Sequence, residues 1–325
     1  MTVTELVTHW YRTYKSPFNQ KSTNRIAESN IKVHLAPSDF GAMDITEVTT
    51  KDVQEFLTEL MLHGNKCKLI NYDKVGQPLS NRSVRKFRQM LIAGFRQGIK
   101  DGLITQNPAE GTEPPPIART MVTTFSPAGQ KAFLAHTKKR RFHAAYAMLF
   151  FTGCRRGEIM GLSWDDINWQ ENCFYIRQTL VEYEGEIILK AGGKTQSSVR
   201  TIPLPRGLKR ILKDVWERTQ EERKAEGYSN PHNLIFTNKD GSFYSPQALS
   251  RNFKSIAVRM GFSEDIHLHC TRHTWATNML QLGNAIPDIQ ALGGWTSSDM
   301  LLNIYAHTLK ISQKKAMDKL WRSLN

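Results

Sequence analysis

Three short runs combine residue types that handle phosphate and protons. Thr152-Gly153-Cys154-Arg155-Arg156-Gly157-Glu158 sets an arginine at the break after an apolar stretch, with Glu158 three residues on. A guanidinium at a rigid break can be aimed at an anion in a bidentate fork, and an acid one helical turn away steadies its neighbours. His269-Cys270-Thr271-Arg272-His273 spaces His269 and Arg272 three apart, which puts both on one helical face. There Arg272 can clamp a phosphate while His269 moves a proton near neutral pH. Leu292-Gly293-Gly294-Trp295 precedes Tyr305-Ala306-His307, whose tyrosine hydroxyl becomes a nucleophile once a base takes its proton.

Each run has a plainer reading when taken alone. Arg155 and Glu158 could be a surface ion pair, Trp295 a core residue and Tyr305 a surface tyrosine. His267, His269, Cys270 and His273 crowd together as zinc ligands do, but an arginine among the ligands argues against a cation. No metal and no cofactor is expected.

The elements that must position these groups fall on either side of Pro114-Pro115-Pro116, a run that cannot continue a helix. Residues 1–113 read as one domain, 114–117 as a stiff linker and 118–325 as a second domain. The first domain is predicted to be helical. Val3–Tyr14 is apolar at helical spacing, and residues 51–62, capped by Thr49 or Thr50, stripe Val53, Phe56, Leu57 and Leu60. A third helix starts at Ser80 or Asn81, carries Val84, Phe87, Leu91 and Phe95, and stops at Gly102. Its remaining surface holds Arg82, Arg85, Lys86 and Arg88, a basic face suited to phosphates as well as to solvent. The second domain mixes helices over 144–152, 208–226, 246–260, 271–282 and 286–292 with strands over 173–179, 186–190 and 199–204. The fold class is therefore mainly α, with a helical first domain and an α+β second domain built around a small antiparallel hairpin sheet.

Composition narrows the partners. The 325 residues carry a formal charge of +14. Residues 116–325 hold 29 Lys and Arg against 18 Asp and Glu, and residues 1–115 hold 15 against 12. So basic a chain suits a polyanion, though ribosomal, membrane-surface and heparin-binding proteins share the property. No apolar stretch reaches the ~20 residues of a membrane span, and the first residues lack the pattern of a signal peptide. Cys67, Cys154, Cys173 and Cys270 are scattered without CxxC spacing, which suits free thiols in a reducing cytoplasm.

Taken together and in order, the runs resemble the tyrosine recombinase (phage integrase) family. Residues 152–158 resemble its first arginine box, with Arg155 as catalytic arginine and Glu158 as the accompanying acid. His269 to Arg272 resembles its His-x-x-Arg box. Leu292 to Trp295 resembles its Leu-Gly-His/Trp motif with Trp in the slot usually held by His, and Tyr305 to His307 resembles its Tyr-x-His end. The family's hairpin lysine is most similar to Lys194, with Lys190 the nearby rival. The first domain resembles the family's core-binding domain; many integrases add a further N-terminal arm-binding domain, and this chain begins at the core-binding one.

The resemblance implies site-specific DNA recombination through a covalent 3′-phosphotyrosine on Tyr305, in integration or excision of a mobile element in a bacterial cytoplasm. In that scheme Arg155 and Arg272 hold the phosphate, His269 is the base, Lys194 protonates the leaving oxygen and Trp295 donates a hydrogen bond. Double-stranded DNA is the partner and a homotetramer on two DNA sites the working unit, with room for an accessory DNA-bending or excision factor. The amphipathic segment 308–324 is expected to dock onto a neighbouring subunit. A DNA-relaxing enzyme, a metal-dependent nuclease and a non-enzymatic DNA-binding regulator remain the rival readings of the residues.

Overall fold

A computed structural model of the chain describes residues 1–66, 68–69, 72–116, 122–183, 185–192, 199–298, 301, 302 and 321. Two compact units result, Met1–Thr120 and Met121–Asn325.

In the first unit α1 (Val3–Tyr14) starts at a capping box, Thr2 accepting from the Glu5 amide while the Glu5 carboxylate accepts from Thr2 N. Its buried face is Val3, Leu6, Val7, Trp10 and Tyr11, the i, i+3, i+4, i+7 and i+8 pattern of an amphipathic helix. Next come α2 (Lys21–Asn30), which runs directly into a π-helical turn Ile31–Leu35, and the short α3 (Asp39–Ala42). A second capping box, Thr49 with Asp52, opens α4 (Thr50–His63). The two-residue strands β1 (Lys68–Leu69) and β2 (Tyr72–Asp73) pair antiparallel. Ser80 caps α5 (Asn81–Lys100), whose Val84, Phe87, Leu91 and Phe95 share one core with the buried faces of α1 and α4.

Residues 110–116, which include most of the expected linker 114–117, are fastened to α5. Arg85 donates to the Pro115 carbonyl (2.6 Å), Asn81 to that of Pro116 (2.8 Å), and Arg88 to the carbonyls of Glu110 and Thr112. Proline lacks an N–H but keeps a full acceptor, so a polyproline run invites donors from a neighbouring helix.

The second unit opens with α6 (Pro127–Thr137), capped by Ser126. The central α7 (His143–Thr152) buries every residue from Ala144 to Phe150, which is why its pattern is a continuous apolar run rather than a stripe. Then follow α8 (Arg156–Met160), a 3-10 turn at Trp164–Asp166, β3 (Ile167–Asn168), β4 (Cys173–Ile176), β5 (Gln178–Tyr183), β6 (Glu186–Ala191) and β7 (Arg200–Pro203). After them come α9 (Arg206–Glu222), α10 (Pro246–Arg259), α11 (Cys270–Gln281) and α12 (Ile286–Gly293).

The single strand expected over 173–179 is two. β4 sits between β3 and β7, with Phe174 opposite Ile202, while β5 pairs with β6 in a separate hairpin turning at Gly185. The break falls at Arg177, whose carbonyl accepts from Gly192 N (2.6 Å), so the chain changes sheet without orphaning that acceptor. Phe125, Phe133, Phe150 and Phe253 pack edge-on or tilted beside α7 in the main core. A smaller apolar cluster, holding Trp275, Ile289 and Trp295, ties α11 to α12. Among the described residues no helix is long and apolar enough to cross a membrane, and Cys154, Cys173 and Cys270 are free and buried.

Candidate active site

The apolar α7 cannot end without a residue that turns its last carbonyls away. Gly153 does so with φ +64°, and a Cβ there would lie 2.1 Å from the Trp275 ring. Arg155 follows in extended conformation as the N-cap of α8. Its amide donates to Glu158 Oε2 (2.7 Å), its Nη1 to Glu158 Oε1 (2.8 Å) and its Nη2 to the Gly294 carbonyl (2.7 Å). About 44% of the side chain stays open to solvent, so the guanidinium is held yet presented.

Glu158 is buried, and a second arginine completes its shell. Arg200, at the head of β7, donates Nη2 to Glu158 Oε2 (2.8 Å), Nη1 to Oε1 (3.2 Å) and Nε to the Leu292 carbonyl (2.7 Å). Burial alone would push the Glu158 carboxyl up, but hydrogen bonds and charge from Arg200 and Arg155 outweigh it and hold the group below its usual range.

Arg272 lies in the first turn of α11 and is about 1% exposed. One guanidinium nitrogen reaches the Gly153 carbonyl (2.5 Å), and the guanidinium carbon sits 3.7 Å above the centre of the Trp295 ring. Trp295 in turn stacks on Trp275, with centroids 6.0 Å apart and planes 20° from parallel. The Arg272 Nη2 is buried and has no hydrogen-bond partner among the described residues. Burial and the nearby Arg155 charge pull the Arg272 pKa down to about 9. An unsatisfied buried cation is costly, and an anion arriving at Nη2 would relieve that cost.

His269 occupies the N-cap position of α11 without a side-chain capping bond, and it is exposed on the same cleft. Desolvation, then His273 and Arg272, lower its pKa to about 4, and desolvation with His267 does the same for His273. Both imidazoles are thus neutral at pH 7, the form a base requires. His267 Nδ1 and Cys270 Sγ lie 3.0 Å apart, and no group of three or more His, Cys, Asp or Glu among the described residues is arranged to hold a metal ion.

The cleft itself encloses about 420 Å³ and is lined by Arg155, Arg156, Ser250, His267, His269, Thr271 and Arg272, among others. No described lining residue is acidic. Such a surface can neutralise a phosphate and polarise it from several sides.

The structure therefore brings Arg155, Glu158, His269, Arg272 and Trp295 together. Lys194 and Tyr305 lie outside the described residues, as does nearly all of segment 308–324. Lys190, the rival lysine, is exposed on β6 opposite Thr179. On α5, Arg85 and Arg88 are spent on the carbonyls of the 110–116 segment, whereas Arg82 and Lys86 are exposed. Sequence reasoning overlooked Arg200. The signal was its parity: Arg200 shares the inward face of β7 with buried Ile202, an unusual place for an arginine without a buried acid.

One expected result follows from the imidazoles. A histidine whose folded pKa is depressed favours the unfolded state once the unfolded ring begins to charge, so stability falls as pH drops from about 6.5 towards 4. Urea titrations across that window should show a rising midpoint with pH, and His269→Gln should flatten the slope. An unchanged slope in the variant would contradict the lowered His269 pKa.

The fold and its cleft define a two-unit chain whose second unit gathers two arginines and a histidine around one cleft. Residues 129–311 match the phage integrase family, and residues 2–61 match the phage integrase N-terminal SAM-like domain. The chain belongs to the phage integrase family, the tyrosine recombinases. It is an enzyme of site-specific DNA recombination, of the kind that integrates and excises mobile elements. The XerC-like tyrosine recombinase of Caldanaerobacter subterraneus subsp. tengcongensis is 24% identical over 90% of this chain and 76% of its own length. The ICEBs1 integrase of Bacillus subtilis is 25% identical over 85% and 72%. The Tn1549 transposon integrase in complex with a circular intermediate DNA shares the fold with TM-score 0.81 and 20% identity, over 98% of this chain and 99% of that one. A lambda integrase tetramer bound to a Holliday junction superposes with TM-score 0.67 and 17% identity, over 94% and 77%.

Proposed function

We propose that the cleft holds the scissile phosphate of double-stranded DNA while Tyr305 attacks it. The observation that carries this reading is a cleft with no acidic residue among its described lining, shared by Arg155, His269 and buried Arg272, whose Nη2 has no partner among the described residues. The Tyr305 oxygen forms a bond to phosphorus, the bond to the 5′ oxygen breaks, and a 3′-phosphotyrosine remains. His269 takes the phenolic proton, and Lys194 supplies one to the departing 5′ oxygen. Arg155 and Arg272 carry the charge that grows on the non-bridging oxygens, and Trp295 backs Arg272. A 5′-hydroxyl of a partner strand reverses the step, conserving the bond energy without ATP. No metal is called for, because the arginines supply the electrostatic stabilisation.

Four subunits on two DNA sites are the proposed working unit, in keeping with the tetrameric lambda integrase neighbour. Arg82 and Lys86 on α5 are the proposed phosphate contacts of the first unit. The test is a nicked duplex carrying the joined ends of the element that encodes the chain, on which cleavage releases a short fragment and traps the enzyme. An SDS-resistant protein–DNA adduct is expected, equally in EDTA. Absence of any adduct would overturn the reading.

A further inference from the structure

Arg200 belongs to none of the sequence runs that suggested chemistry, yet it touches two of them. It is buried, with side-chain exposure of 8%, and its guanidinium divides between the Glu158 carboxylate and the Leu292 carbonyl. Its Nη2 also lies 3.7 Å from Cys154 Sγ. Gly294, at φ +66°, has no room for a Cβ because the Arg200 guanidinium would lie 2.9–3.2 Å from it. Glu158 in turn fixes Arg155, and Gly294 accepts from Arg155. Arg200 thus closes a ring running from Arg155 through Glu158 to the turn that carries Trp295, the residue beneath Arg272.

Resting on the function proposed above, we infer that Arg200 is a positioning residue for strand cleavage, setting both phosphate-binding arginines through Glu158 and the Leu292–Trp295 turn. It also stands six residues after Lys194, at the head of β7, so the strand that leaves the lysine segment is pinned to the same ring. Arginine is required because the task is geometric: one planar fork must serve a carboxylate and a carbonyl at once, which a lysine point charge does not do.

The test compares Arg200→Lys and Arg200→Ala with the wild-type chain on the nicked duplex, reading single-turnover cleavage, DNA affinity and melting temperature. Arg200→Lys should fold and bind DNA like wild type while cleaving about 100-fold more slowly, the scale of a misplaced catalytic group. With half its shell gone, Glu158 should also add a new acid limb to the pH–rate profile, and Glu158→Gln in the same background should remove it. Cleavage by Arg200→Lys at the wild-type rate would overturn the inference. So would a loss that tracks melting temperature and DNA affinity without the acid limb. If the wild-type chain forms no adduct at all, the failure belongs to the function proposed above instead.

Discussion

Tyr305→Phe should bind the nicked duplex as the wild-type chain does and form no SDS-resistant adduct. The substitution removes one oxygen and leaves the ring, so DNA affinity should shift by no more than about 1 kcal/mol, the worth of one neutral hydrogen bond. The covalent step has no substitute nucleophile in the proposed scheme, and its rate should fall by at least about 10⁴-fold, as when a nucleophile is removed from other covalent enzymes. Thr308, three residues on in the sequence, offers a control, and Thr308→Val should retain the adduct. An adduct of undiminished yield with Tyr305→Phe would move the nucleophile elsewhere. Loss of DNA affinity with both variants would mean that the segment contributes to binding rather than chemistry.

The second large effect is expected at Arg272, and it separates activity from stability. Replacing one preorganised donor to a developing oxyanion costs about 10²–10³-fold in rate. Arg272→Met should therefore cleave at least that much more slowly. Stability should hold or rise. In the free chain this cation is almost fully buried, one nitrogen has no partner among the described residues, and burial has drawn its pKa down to about 9. A buried charge of that kind is commonly replaced by a flexible apolar side chain at no net cost. The loss is the bond to the Gly153 carbonyl and the stacking on Trp295; the gain is relief of the desolvated charge. Thermal unfolding of the DNA-free variant, read beside single-turnover cleavage, checks both halves. A melting temperature several degrees below wild type would show that Arg272 is held for the fold rather than for the phosphate.

Much of this was legible in the sequence, for reasons visible in particular elements. The helix Val3–Tyr14 has a strict apolar stripe and a capping box, and its predicted bounds match those observed. Residues 21–30 form a helix with no fully buried residue, so the sequence carries no apolar stripe to predict it. Apolar residues run through 173–179 and predict a single strand, and only pairing partners reveal the break at Arg177. At the site, Arg155, His269 and Arg272 stand out only when their runs are taken together and in order, as the family resemblance implies; the cleft brings the three side chains to one place. Arg200 does not stand out, because its role depends on an acid 42 residues away and a carbonyl 92 residues away. On the basic face of α5, two of the four cations also serve backbone oxygens more than twenty residues downstream, partners that helical spacing does not reveal.

Two of the three arginines grip the Leu292–Trp295 turn by its main chain, at the carbonyls of Leu292 and Gly294. Recognition of that sort is blind to side-chain identity so long as the backbone keeps its bend. Position 295 is thereby released to host any flat ring that can lie beneath Arg272, and an indole serves where the family commonly carries an imidazole. The glycines are not so released, since at 293 an added carbon would strike the Trp295 ring at 2.0 Å. For protein engineering the turn is thus an interchangeable part with a fixed mounting: its aromatic can be swapped to tune reactivity, while its glycines and the two arginines that hold it must travel together.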